Sequence, residues 1–203
     1  MSSWLDLVRA EPDDEQTAVL DGALSAFEEF GVRRSSMNEI ARRAGISPAT
    51  LYRRFAQKSD VVLGVGLREV RRFLAQVDAQ VDASLPADEQ IVALFVAFLS
   101  GLRRNKLLAR LLDTEPETVL PALTVNGWPV LMLGRDYLAD IIRRLQAEGA
   151  ADEYDPLPVA EMIARVALSM ALTPQTGLPL HDDAAARAFA REHITPVYRL
   201  RQR

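Results

Sequence analysis

Apolar residues along the chain recur at three- and four-residue spacing, and no stretch sustains the strict alternation of a half-buried strand. The pattern predicts helices almost throughout. A first helix is expected over 13–30, with Val19, Leu20, Ala23, Leu24 and Phe27 on one side, acidic residues after Pro12 and Gly31 as its stop. Two short helices follow, then a longer one over 59–81 with Val62, Leu63, Val70, Phe73, Leu74 and Val77. Ser84-Leu85-Pro86 punctuates the chain and marks the domain boundary. Beyond it the pattern gives helices over 88–103, 106–113 with an extension through 117–123, 129–148, 158–172 and 182–198.

The two short helices carry the informative chemistry. Ser36 followed three residues later by Glu39 is a capping box, so a helix should start there with Ile40, Ala41 and Ala44 facing inward. Gly45 suits the left-handed conformation that ends a helix, and Ile46 supplies an apolar plug after the turn. Ser47 caps the next helix, with Pro48 at its first position, where the missing N–H costs nothing. Leu51 and Phe55, four apart, turn inward and leave Thr50, Tyr52, Arg53 and Arg54 for other faces. Two short helices around a glycine turn describe a helix-turn-helix, whose second helix reads the major groove.

Charge sharpens this reading. The net charge of the whole chain is −4, which read globally disfavours nucleic acid. Locally, residues 33–58 hold seven basic residues against the single acid Glu39, whereas residues 1–32 carry eight acids and one base. Positive charge is concentrated on the helix-turn-helix. Arg42, Arg43, Arg53, Arg54 and Lys58 are expected to neutralise phosphates and make affinity salt-dependent. The plain reading of such a run is a solvated helical face, and Tyr52 separates the two. A structural tyrosine is buried; one that contacts DNA leaves its hydroxyl exposed.

At these residues the sequence resembles the tetracycline-repressor (TetR) family. The resemblance runs from Val19-Leu20-Asp21-Gly22-Ala23-Leu24 through Phe27 and Gly31. It continues over Ile40-Ala41, Ala44-Gly45-Ile46-Ser47, Thr50-Leu51-Tyr52-Arg53-Arg54-Phe55 and Lys58-Ser59-Asp60, about a third of the chain. It implies an all-α homodimer. An N-terminal three-helix domain (1–58, with a connecting helix 59–83) would bind a pseudo-palindromic operator in double-stranded DNA. A C-terminal helical domain (84–203) would hold a small-molecule effector and the dimer contact. The resemblance implies DNA contacts by Ser36, Met37, Ser47, Pro48, Ala49, Thr50, Tyr52, Arg53, Arg54 and Lys58. Met37 stands where Thr or Val is more common, Arg54 where His is frequent and Gln57 where Asn often occurs.

The C-terminal part is less explicit. Phe95, Phe98, Trp128, Met132, Tyr137, Met162 and Arg165 are candidates to line a pocket for an apolar effector; an apolar stripe at helical spacing also builds plain core. Helices 158–172 and 182–198 carry many alanines with Val159, Ile163, Val166, Met170, Phe189, Ile194 and Val197, a composition suited to a four-helix contact between subunits or to packing within one.

Other classes have little support. The chain has no cysteine and two histidines, His181 and His193, so no thiolate or histidine-rich metal centre is expected, and no cofactor. It contains no nucleophile elbow and no glycine-rich phosphate loop, so no enzyme activity is expected. The longest apolar run, 91–99, is nine residues, about half of what a membrane-spanning helix needs. The N-terminus lacks the order of a secretion signal, giving the expectation of a soluble cytoplasmic regulator. The alternative reading is a small-molecule-binding helical protein with a degenerate helix-turn-helix that does not bind DNA.

Overall fold

In the computed structural model, which describes residues 14–201, the chain is all-helical apart from one bridge between Ala151 and Leu200. The helices are α1 (Asp14–Phe30), α2 (Met37–Arg43), α3 (Pro48–Arg54), α4 (Lys58–Asp78), α5 (Ala87–Arg104), α6 (Lys106–Thr114), α7 (Pro116–Leu123), α8 (Trp128–Ala147), α9 (Pro156–Leu172) and α10 (Asp183–Phe189). A π-helical turn (Ala190–Ile194) and a 3-10 turn (Thr195–Tyr198) follow. The expected start of the first helix at residue 13 lies outside the described residues.

Packing divides the chain into two units. Of the described residues, one unit takes those up to Phe73 together with Asn105–Ala122; the other takes Leu74–Arg104 and those from Leu123 onward. The division therefore does not follow the punctuation at Ser84-Leu85-Pro86. The strip that holds α6 and nearly all of α7 goes with the helix-turn-helix, although it lies far along the chain.

The first unit is built on a core of Val19, Leu20, Ala23, Ala26 and Phe27 from α1, Met37, Ile40 and Ala41 from α2, Leu51 from α3, Phe55, and Val61 and Val65 from α4. Each set recurs at helical spacing, so one stripe per helix meets in the middle. Burying each large aliphatic side chain contributes about 1.5–3 kcal/mol. Leu111 of α6 packs against the same cluster. The buried Arg68 stitches α4 to α1: its guanidinium donates to Asp21 Oδ1 (2.7 Å) and to the Leu20 carbonyl (2.9 Å).

In the second unit, α8 and α9 pack extensively on each other. α8 buries Leu131, Met132, Leu133, Leu138, Ala139, Ile142 and Leu145. A second cluster joins Val96 and Leu99 of α5 to Leu180 and Ala186, with Phe95, Phe98, Met170 and Phe189 around it. The chain end is tied down as well. Tyr198 is buried, the Tyr154 hydroxyl donates to its carbonyl (2.9 Å), and Arg201 N donates to the Ala150 carbonyl (2.9 Å).

Two expected helices are broken, for a physical reason in each case. The segment 106–123 divides at Glu115 because Pro116 disfavours helical backbone in the residue before it. The segment 182–198 does not run as one helix. Pro196 has no N–H to give to the Glu192 carbonyl and crowds it, so an α-helix cannot run through to 198; regular α-helix stops at Phe189, and wider and tighter turns complete the segment.

Candidate nucleic-acid interface

The helix-turn-helix forms as its residue types dictate. Ser36 Oγ accepts the Glu39 N–H at 3.1 Å at the start of α2, and Gly45 takes the left-handed backbone (φ +69°) that turns the chain. The Ile46 N–H then closes on the Ala41 carbonyl (3.1 Å). Ser47 Oγ accepts the Thr50 N–H (3.1 Å) at the start of α3, with Pro48 at its first position. The capping box is only half made, because the Glu39 carboxylate turns to arginines instead of back to the Ser36 N–H.

On α3 the inward and outward sets separate cleanly. Leu51 and Phe55 are in the core, while Ser47, Pro48, Ala49, Arg53 and Arg54 are exposed and Thr50 is half-buried, its hydroxyl 2.9 Å from Ser47 Oγ. Tyr52 is 51% exposed, the value that distinguishes an outward tyrosine from a structural one. The face of α3 away from the core thus carries a phenol and two guanidinium-bearing side chains. Such a surface suits phosphate oxygens and base edges.

Several expected contacts are placed differently. Met37 is only 7% exposed; its side chain belongs to the core and holds α2 in place, because an unbranched thioether fills the space beneath the helix start. Arg42 and Arg43 both bind Glu39, at 2.6 Å and 2.7 Å, and these hydrogen bonds hold the Glu39 carboxyl down at about 2. Arg43 also reaches Ser25 Oγ (2.6 Å) and Glu29 (2.5 Å) on α1, and its guanidinium lies over the Phe30 ring. These two arginines are therefore engaged within the chain. Lys58 at the start of α4 is half-buried and donates to the Arg33 carbonyl (3.1 Å); partial burial lowers its pKa, against the opposing charge of Glu115. Arg34 and Asn38 are exposed beside Ser36, next to the start of α2.

The seven candidate pocket residues differ in their surroundings. Met132 is buried, and Phe95 stacks on Phe189 with ring centroids 5.9 Å apart. Phe98 packs against the same cluster as Phe95. Tyr137 donates its hydroxyl to Asp78 (2.5 Å), and burial followed by this carboxylate raises its pKa. Trp128, by contrast, is exposed at the first position of α8. Met162 and Arg165 sit on the outer side of α9, where Arg165 pairs with Glu161 (2.7 Å) beside an open groove bounded by Leu157, Pro158 and Val166. α9 is apolar on both sides, so spacing alone does not tell its inner face from its outer one. Among the described residues no cluster of metal-ligating side chains occurs, and no helix is long and apolar enough to cross a membrane.

Comparison with known proteins agrees with this architecture. The sequence model of bacterial regulatory proteins of the tetR family matches residues 19–65, and that of the bacterial tetracyclin repressor C-terminal domain matches residues 87–191. The HTH-type transcriptional regulator Rv1255c of Mycobacterium tuberculosis is 26% identical over 196 residues, covering 97% of this chain and 90% of its own. UidR of Escherichia coli, also an HTH-type transcriptional regulator, is 24% identical over 199 residues, 92% of each chain. Among solved structures, the TetR family repressor AlkX from Dietzia sp. is similar with a TM-score of 0.64 at 19% identity, covering 90% of this chain and 95% of that one. The fatty acid degradation regulator FadR from Bacillus halodurans is similar with a TM-score of 0.60 at 16% identity, covering 92% and 99%. At these identities the solved structures speak for the fold.

Proposed function

The chain belongs to the tetracycline-repressor (TetR) family of DNA-binding transcription regulators, and from that premise we propose that it is a homodimeric repressor. It is released from a pseudo-palindromic operator by a small apolar effector. The observation that carries the reading is the outward set on α3, Tyr52, Arg53 and Arg54, held by Leu51 and Phe55 beneath it. Ser47, Pro48, Ala49 and Thr50 present the start of the same helix to base edges, and Ser36 and Lys58 flank it. A two-fold dimer sets two copies of α3 into successive major grooves, with half-sites about 34–36 Å apart.

The outer side of α9 supports the dimer. Pro158, Met162 and Val166, each four residues from the next, form a stripe continuous with the groove beside Arg165, with Met162 and Val166 exposed. An apolar stripe of this kind is covered in an isologous contact when the same stripe of a second copy packs on it. The effector reading rests on family membership and on the aromatic and methionine side chains of the second unit. A difference of about 1–3 kcal/mol between bound and free states is sufficient to couple effector to operator.

The test is selection of duplexes from a randomised pool, followed by titration of the enriched sequence with Arg53→Ala and Arg54→Ala. Enrichment of an inverted repeat, with weaker binding by both variants, is the expected result. Failure to enrich any duplex, or unchanged affinity in both variants, overturns the reading in favour of a degenerate helix-turn-helix.

A further inference from the structure

The turn between α1 and α2 is held by the strip that the chain sends back from residue 105. Gly31 has φ +83°, and a Cβ there would overlap Glu115 Oε1, so only glycine admits this carboxylate. Glu115 is 7% exposed, and its Oε2 accepts the Arg33 main-chain N–H (3.0 Å). Glu117, two residues on, takes the Arg33 guanidinium (2.7 Å). Arg110 donates to the Glu29 carbonyl (3.1 Å), and Leu111 packs on the core beneath. All of these contacts lie within the first unit.

Arg33 stands three residues before the Ser36 cap, and its carbonyl receives Lys58 Nζ at 3.1 Å. It is therefore a neighbour of two groups proposed above to flank the DNA face. Its side chain is 69% exposed, so its pair with Glu117 is open to solvent and weakly held. A phosphate is a competing partner for the same guanidinium. The strip also joins the second unit at both of its ends, since the chain leaves that unit after Arg104 and re-enters it at Leu123.

We propose that Arg33 is a further DNA-backbone contact held in reserve, and that Glu117, with Glu115 fixing the turn, is an autoinhibitory acidic cover over it. The inference rests on the reading of the chain as a DNA-binding regulator. Displacement of the 105–122 strip releases the guanidinium from its carboxylate partner and adds one phosphate contact; its docking removes that contact.

The test uses the full chain and a fluorescein-labelled mixed-sequence duplex, read by anisotropy over a salt series. Glu117→Gln should bind about three- to tenfold more tightly at low salt, with a salt slope steeper by about 0.9, the increment of one phosphate. On the Arg33→Gln background the same change should have no effect. Glu28→Gln, an equal change of charge on the exposed side of α1, should also have none. The cover is overturned if Glu117→Gln leaves affinity and slope unchanged, or if it tightens binding equally without Arg33. Absence of duplex binding by the wild type and all variants instead removes the regulator reading, and the cover with it.

Discussion

Arg43 Nη2 of α2 lies 2.5 Å from Glu29 Oε2 of α1, and the same guanidinium binds Glu39 and covers Phe30. A cation that charge alone assigns to DNA is spent on joining two helices. Arg53, ten residues on, is exposed on α3. The two arginines should therefore respond to different measurements. Arg43→Ala should lower Tm while leaving the salt slope of duplex binding unchanged. Arg53→Ala should leave Tm within error and cost about 1–3 kcal/mol of binding if it reads a base, or flatten the slope by about 1 if it holds a phosphate. Loss of slope in Arg43→Ala with no change in Tm contradicts this division.

Acid should release the same junction. The Glu39 carboxyl is held at about 2 by Arg42 and then Arg43, against an ordinary value of 4.5. A depressed carboxylate contributes stability that is complete above pH 4.5 and is lost as pH falls from there toward 2. Wild type should exceed Glu39→Gln in Tm at neutral pH, and the gap should close across that window. A gap that stays constant down to pH 2 removes the assignment.

Neighbouring residues on α3 should separate stability from binding. Leu51 is fully buried, so Leu51→Ala should destabilise the chain by about 2–5 kcal/mol in denaturant unfolding. Tyr52→Phe keeps the ring at an exposed position and should change stability by less than about 0.5 kcal/mol. Its effect should appear in duplex affinity. A large stability loss in Tyr52→Phe would mean that its hydroxyl is structural.

In the second unit, Tyr137→Phe should cost about 1 kcal/mol by removing the hydrogen bond to Asp78. Full loss of the fold, or no change at all, would contradict the role given to this contact.

Met162→Glu places a charge on the outer stripe of α9. Sedimentation equilibrium should then show a monomer where the wild type is a dimer, with far-UV circular dichroism unchanged. A wild type that is monomeric at all concentrations ends the dimer proposal.

Local chemistry is the legible part of this molecule. Ser36, Gly45, Ser47 and Pro48 act on their own neighbours, so their spacing is enough to place α2, the turn and α3. Contacts between distant stretches are not legible. Nothing near Arg43 names Glu29 as its partner, and nothing near Gly31 announces Glu115, which lies far along the chain. Met37 reads as a surface residue by analogy, yet burial of its apolar side chain decides its place. On α9 the apolar residues are too many for spacing to choose a side, so Met162 reads as a pocket candidate and is outward.

The interleaving of the two units has a practical corollary for anyone dissecting this protein. A fragment ending at residue 83 would omit the 105–122 strip, uncapping the three-helix core where Leu111 covers it and leaving the Arg33 main chain without its carboxylate partner. Such a piece would be less durable than the same residues in the intact chain. Isolating the unit intact calls for splicing the strip back on through a linker, as no single truncation can supply it.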